Sequence, residues 1–165
     1  MKASAPIRDR EGQTGSAVVE IALASVVLMG MILGMFQMFL AFYTYHYISE
    51  AAREGSRYAM VRGSTSCTNT PNLANCNATA AEVQSYVQGL GFPGIDATNA
   101  MTVSVSWLTV STGQPATWSA CSSGTCNAPG NLVKVQVRYA FPLALPFFTS
   151  NTLNLTSTSQ MAIAQ

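Results

Sequence analysis

Glu20 places a carboxylate near the start of an apolar run, and its neighbours suggest what that carboxylate could do. The sequence from residue 14 to 34 reads TGSAVVEIALASVVLMGMILG, and residues 21–45 include no charged side chain. An ionisable group in such a segment is a candidate functional group whose partner must be named. If the chain were cut after Gly15, Ser16 would become the first residue and Glu20 the fifth. The new α-amino group could then pair with the carboxylate of a neighbouring subunit, neutralising the buried charge and fixing the axial register.

Two simpler interpretations of Glu20 need no cleavage. The carboxylate could reach back to the membrane surface, or it could interact favourably with the positive end of the helix dipole from within the first turn. Both explain why a carboxylate is tolerated at this position, but neither gives it a partner in another chain. All three interpretations stay open at this level.

The four cysteines, Cys67, Cys76, Cys121 and Cys126, all follow the apolar run and form two close pairs. Such pairs favour disulfides and an oxidising compartment. Of three possible pairings we expect Cys67–Cys76 and Cys121–Cys126, each short loop contributing about 2–3 kcal/mol. A structural zinc site is the alternative, although no CxxC spacing is present and the only histidine is His46. Because basic residues flank the apolar run about equally, the cysteines decide its orientation and place the later residues outside the cytoplasm.

These groups must be positioned by a long helix. At about 1.5 Å per residue, residues 21–45 would form a helix of about 38 Å. This segment is longer than a membrane span requires, because roughly 20 residues are enough to cross a bilayer core. We predict a membrane span and not a secretory signal peptide, whose apolar region would be shorter. The pairs Glu50–Arg53 and Glu54–Arg57 are spaced i,i+3 and would support a solvated extension to about residue 62.

Within the helix, Gly30 and Gly34 form a GxxxG pair, a spacing that lets a second helix approach closely. Glycine is also common in membrane helices, so chance explains the pair equally well. The tyrosines from position 43 onward fit the aromatic belt that marks a membrane interface.

The sequence after residue 62 predicts a small antiparallel sheet with one short helix. Thr79 and Glu82 have capping-box spacing at the start of an amphipathic segment that ends near Gly89. Alternating apolar residues predict strands over 101–107, 133–141 and 153–163. TGQPATWSACSSGTCNAPGN (112–131) is expected to be a long turn region. FPLALPFF (141–148) has two prolines and should not continue as a central strand, so we expect it to fold over the apolar face or to form an exposed docking loop.

Composition and motifs argue against several functions. Only 9% of the residues are charged and the net charge is +1, which gives no electrostatic reason to expect nucleic acid as a partner. Glu82 and Asp96 are the only acids after residue 62, and a Ser-His-acid triad would need His46 at the membrane edge. No phosphate loop or dinucleotide fingerprint occurs. We therefore predict a non-enzymatic protein without cofactor or metal.

Two motifs on one helix carry a family resemblance. EGQTGSAVVEIALA, followed about thirty residues later by AAREGSRYA, resembles the TadE-like pseudopilins of the tight-adherence (Flp) pilus system over Arg10 to Arg62. The resemblance implies a minor pilin-like protein that a prepilin peptidase cleaves between Gly15 and Ser16, with Glu20 for recognition and assembly. It also implies as partners other pilins and pseudopilins, the inner-membrane assembly platform and membrane lipid. The chain departs from the family pattern by lacking a proline at position 26, so we expect no helix kink there.

We therefore predict an α+β, pilin-like chain in three parts: a cytoplasmic leader (1–15), a membrane-spanning and extended helix (16–62) and an extracytoplasmic α+β head (63–165). The expected location is the bacterial inner membrane, crossed once, with the head in the periplasm or at the cell exterior and with incorporation into pili left open. Two alternatives remain. The chain could be an uncleaved single-pass protein whose head binds an envelope partner, or a pseudopilin of a related secretion system.

Overall fold

The fold consists of one long helix and an antiparallel sheet that packs against the second half of that helix. The computed structural model describes residues 11–97, 100–110, 117–122, 125–144 and 151–165. The elements, in chain order, are α1 (Glu11–Met60), α2 (Ser66–Asn69), α3 (Ala80–Gln88), β1 (Met101–Val110), β2 (Trp118–Ala120), β3 (Leu132–Leu143) and β4 (Asn151–Ala162). This arrangement confirms the predicted α+β, pilin-like class.

The sheet has four antiparallel strands in the order β2-β1-β3-β4. Val133, Val135 and Val137 of β3 point inward and are fully buried, whereas the residues between them lie on the outer, polar face. This alternation is what a strand requires when only one of its faces is covered. The three strands predicted from alternation are therefore confirmed as β1, β3 and β4.

The inner face of the sheet is covered by α1 and α3. In the stretch AAREGSRYA, the small residues Ala51, Ala52, Ser56 and Ala59 are completely or almost completely buried. Small side chains let the helix axis approach the sheet closely. We predicted that α1 would be solvated beyond the membrane. That prediction is wrong for this face of the helix, because it packs against the sheet and forms part of the hydrophobic core.

The opposite side of the same helical segment is solvated, as expected. Arg53 lies 3.6 Å from Glu50, and Arg57 lies 3.0 Å from Glu54. Both are exposed i,i+3 pairs, and such pairs contribute only a few tenths of a kcal/mol each. They support the helix but do not hold it against the head.

α3 begins with the predicted capping box. The hydroxyl of Thr79 accepts a hydrogen bond from the backbone N–H of Glu82 (3.3 Å), and the Glu82 carboxylate accepts one from the backbone N–H of Thr79 (2.7 Å). Val83 and Val87 are fully buried on the inner face of the helix. Local sequence therefore fixes both the start of α3 and the side that it buries.

Three local predictions need correction. A single helical turn, α2, lies in the expected polar loop, and the short strand β2 lies in the expected turn region, where it pairs with the end of β1. β3 continues through Pro142, which pairs with Thr152 of β4. The proline is tolerated because β1 pairs with β3 only as far as Tyr139, so in the described residues β3 has a single neighbour there. The rest of FPLALPFF, residues 145–148, lies outside the described residues.

Candidate membrane anchor and assembly surface

Residues 15–36 of α1, which we call the stem, form an exposed apolar helix. The stem belongs to one helix, Gly15–Met60, that is long and apolar enough to cross a membrane. At about 1.5 Å per residue the stem measures about 33 Å. Exposed apolar side chains continue beyond it to Leu40, so the residues from Ile21 to Leu40 can span the roughly 30 Å of bilayer hydrocarbon. Its large exposed side chains are valine, isoleucine, leucine, methionine and phenylalanine: Val18, Val19, Ile21, Leu23, Val26, Val27, Leu28, Met29, Met31, Ile32, Leu33, Met35 and Phe36.

Glu20 lies on the exposed surface of the stem, one helical turn beyond Ser16. Residues four apart share one face of a helix. The α-amine of a chain starting at Ser16 would therefore lie about one helical turn from the carboxylate of Glu20, where a neighbouring chain could reach both. In the described residues, α1 begins at Glu11 and so includes the bond between Gly15 and Ser16. Access by a peptidase would require the first turns of α1 to open, which is inexpensive near a helix end.

Gly30 and Gly34 leave open space on the stem. A Cβ atom built on either residue would meet nothing within 4 Å outside the local helix backbone. The two positions lie one turn apart, so together they form a shallow depression on one face. The structure thus leaves this face accessible to another helix, and the packing role itself stays a prediction.

Contact between α1 and the head begins just above the stem. The side-chain amide of Gln37 donates a hydrogen bond to the carbonyl of Ala144 (3.1 Å), and the hydroxyl of Tyr43 donates one to the carbonyl of Pro93 (3.5 Å). Farther up, Ser49 and Ser56 are hydrogen-bonded to serines of β4, at 3.1 and 2.8 Å. These serine pairs could not be predicted from local sequence patterns, because each joins residues more than a hundred positions apart.

Both cysteine pairs form the expected disulfides. Cys67 is bonded to Cys76 and Cys121 to Cys126, with Cα–Cα distances of 4.9 and 5.6 Å. Both distances fall within the usual range for disulfides. With all four sulfur atoms bonded in this way, no thiolate remains for the zinc alternative. The first bond closes the α2 loop and the second closes the turn after β2.

The stem and the small-residue stretch of α1 are also the part of the chain that other proteins share. Residues 15–57 match the family model of TadE-like proteins. The match confirms the resemblance drawn from the two motifs, and it covers about a quarter of the chain. No curated protein and no solved structure matches the chain.

The TadE-like segment combines two regions with different surroundings. It begins at Gly15 and includes the exposed stem with Glu20, and it ends at Arg57 within the helix that the head covers. The small residues of AAREGSRYA therefore have a structural role in this chain, since they form the buried helix face. Glu20, Gly30 and Gly34 have no comparable contact among the described residues.

Proposed function

We propose that the chain is a minor pseudopilin of a tight-adherence (Flp) pilus: a non-enzymatic, pilin-like subunit cleaved after Gly15 by a prepilin peptidase and acting in pilus assembly or surface adherence. One observation carries the proposal. The TadE-like match begins at Gly15, and Glu20 lies one turn beyond Ser16 on an exposed apolar stem of membrane length. A soluble protein would bury so large an apolar surface.

The stem suggests how assembly would proceed. Before assembly, membrane lipid covers the stem and the inner membrane holds the chain. After cleavage, the carboxylate of Glu20 and the new amine of Ser16 on a neighbouring pilin neutralise each other. A charge in hydrocarbon is costly unless it is paired, so the pair favours one axial register over others. The face with Gly30 and Gly34 lets the stems of other pilins or pseudopilins approach, and the assembly platform acts on this stem as well.

The two disulfides support a head on the oxidising side of the inner membrane, in the periplasm or at the cell exterior. In that topology residues 1–15 are the cytoplasmic leader, 16–62 the spanning and extended helix, and 63–165 the head. The head uses the upper part of α1 as a wall of its core, so cleavage at Gly15 would leave the head intact.

The mature N-terminus tests the cleavage step. Co-expression with the prepilin peptidase should yield a chain that starts at Ser16, as measured by mass spectrometry of the intact protein. Gly15→Val is the control: a Cβ at this position meets nothing within 4 Å, so the variant should fold normally and remain uncleaved. An intact 1–15 segment on the wild-type chain in its native host would contradict the proposal.

Glu20→Ala tests the assembly step. We expect cleavage to persist better than incorporation into pili, because the partner of the carboxylate is the amine of a neighbour. Glu54→Ala is the matched control, since it removes a carboxylate from the solvated side of the same helix. Cleavage is read by mass spectrometry and incorporation by the amount of protein in sheared pilus fractions. Normal incorporation of Glu20→Ala would refute the pairing role.

An uncleaved single-pass protein is the second candidate. It is favoured by the continuity of α1 across the bond between Gly15 and Ser16. In that case Glu20 would reach the membrane surface and the head would bind an envelope partner. The same mass-spectrometric experiment distinguishes the two candidates.

A further inference from the structure

An apolar groove lies where the head meets α1, directly above the stem. Its volume is about 270 Å³. We call it the neck groove, and its lining residues come from α1 and from the lower end of β4: Met38, Ala41, Phe42, Tyr45, Leu153 and Leu155. Five of the six are purely apolar side chains, and the sixth, Tyr45, is of the type that favours a membrane interface.

The depth of the groove follows from the length of the helix. If the hydrocarbon begins at Ile21, the first residue after Glu20, about 30 Å of bilayer core at about 1.5 Å per residue ends near Leu40. The helical residues that line the groove run from Met38 to Tyr45 and so straddle this boundary. The groove therefore lies at the level of the acyl chains and ester groups of the leaflet on the side of the head.

Hydrogen bonds fix the head at this level. Gln37 bonds to the carbonyl of Ala144 on one side of the neck, and Tyr43 to that of Pro93. Farther up, β4 follows α1 away from the stem, because Ser157 contacts Ser49. The head cannot rise from the membrane along α1 without losing these contacts.

An apolar side chain of the head remains exposed at the same level. Leu153, at the lower end of β4, is 40% exposed and lines the groove. Phe92 is also 40% exposed but lies farther along α1, where its ring packs against that of Tyr47, with ring centroids 4.2 Å apart. The exposed leucine indicates an apolar environment at the level of the groove.

The depth and the lining of the groove favour a lipid as its occupant, because the groove lies at the level of the acyl chains and its walls are apolar. An acyl chain is also much narrower than a helix about 10 Å across, and it needs no hydrogen-bond partner. We propose that the neck groove holds an acyl chain of the leaflet on the side of the head, so that the head is seated on lipid. This inference rests on the membrane span of the proposed function and does not depend on cleavage.

Fluorescence quenching by brominated lipids tests the proposal in the full-length chain, reconstituted into vesicles of phosphatidylethanolamine and phosphatidylglycerol. Trp107 and Trp118 are first replaced by phenylalanine, and one tryptophan is then introduced. Phe42→Trp and Leu153→Trp report from opposite walls of the groove, and both positions are exposed enough to accept the larger ring. Each should lose most of its emission when the acyl chains are brominated.

Two further reporters make the outcome decisive. Thr158→Trp lies on an exposed position of β4, five residues or about 17 Å farther along the strand than Leu153, and should not be quenched. Met29→Trp lies in the stem and should be quenched if the helix spans the bilayer.

Quenching of Met29→Trp without quenching of either groove reporter would overturn the proposal and leave the membrane span intact. If Met29→Trp is not quenched, the span itself is wrong and the inference falls with it. Groove quenching that disappears as the ratio of protein to lipid is raised would identify a second copy as the occupant and would also overturn the proposal.

Discussion

The two halves of α1 are parts of one uninterrupted helix, yet they are built for different surroundings. The stem presents large apolar side chains and is exposed, whereas the head-side half presents alanine, glycine and serine and is buried under the sheet. Large side chains give lipid a broad apolar surface, and small ones let a sheet come close to the helix backbone. The difference shows that a hydrophobic side chain on α1 is not by itself a sign of burial inside the protein.

The glycines give the same comparison at single positions. A Cβ on Gly30 or Gly34 would meet nothing within 4 Å, whereas a Cβ on Gly55 would lie 2.5 Å from Cγ2 of Val87 and 3.2 Å from Cγ1 of Val135. Gly55 is therefore required by packing within this chain. If Gly30 and Gly34 are required, the reason must lie in contacts with another molecule.

The largest effect is expected from truncating an apolar side chain in the buried half. Ile48 is fully buried, so Ile48→Ala should destabilise the head by about 2–5 kcal/mol through lost burial and the cavity left behind. Ile32→Ala removes the same atoms from the exposed stem and should leave head stability unchanged. The measurement is urea unfolding in detergent micelles, followed by the fluorescence of Trp107 and Trp118. Equal losses for the two variants would contradict the division of α1.

A smaller effect is expected from adding a methyl group. Gly55→Ala should cost about 1–2 kcal/mol, because overpacking against Val87 outweighs the gain of up to about 1 kcal/mol in helix propensity. Gly34→Ala should keep that gain, since its Cβ meets no neighbour. In the same unfolding experiment, Val87→Ala should be less damaging in a Gly55→Ala background than alone. Additive losses would show that Val87 is not the source of the strain.

Removing the hydroxyl of Ser56, on the buried face of α1, should cost about the stability that one hydrogen bond contributes. Ser56 is fully buried, and its hydroxyl bonds to the carbonyl of Arg53 (2.9 Å) and to the hydroxyl of Ser159 (2.8 Å). Ser56→Ala should cost about 1 kcal/mol, because the hydroxyl of Ser159 loses its partner. In the stem, Ser25 bonds only to the carbonyl of Ala22 (2.8 Å), so Ser25→Ala should be neutral in the same assay. A loss of similar size at Ser25 would remove the contrast.

The smallest effect is a dependence of head stability on pH. Hydrogen bonds from the backbone N–H and the hydroxyl of Thr79 hold the pKa of Glu82 below its ordinary value of 4.5. Because the folded-state pKa is the lower one, this contribution to stability is present above pH 4.5 and is lost as the pH falls through the folded-state pKa. Glu82→Gln should flatten the dependence of the unfolding midpoint on pH in that window. An unchanged dependence on pH in the Glu82→Gln variant would contradict the prediction.

Local features of the fold were predictable because they depend on neighbouring residues. The capping box of Thr79 and Glu82 marked the start of α3, and alternation along residues 133–141 marked β3. The disulfides followed from short spacing, which favours pairing within each loop. β2 was missed because three residues carry too little periodicity to distinguish a strand from a turn. The prediction at Pro142 was wrong because the rule against proline assumes a paired strand on each side. Pairing between β1 and β3 stops at Tyr139, three residues before the proline.

The candidate site also has a part that could be predicted from the sequence and a part that could not. The order of Gly15, Ser16 and Glu20 on an apolar helix is visible in the sequence, because helix geometry alone sets their spacing. The neck groove is not visible there, since Phe42 and Leu153 are more than a hundred residues apart and only the packing of β4 against α1 brings them together.

What the sequence determined by itself is the apolar run that becomes the stem, the position of Glu20 on it, the cap of α3 and the cysteine pairs. Each depends on composition or on residues within a few helical turns or one short loop. Only the tertiary structure decided that AAREGSRYA is a wall of the core, that serines of α1 and β4 meet, and that the head rests directly above the stem. Small residues carry little hydrophobic signal, so their burial depends on which sheet packs against them.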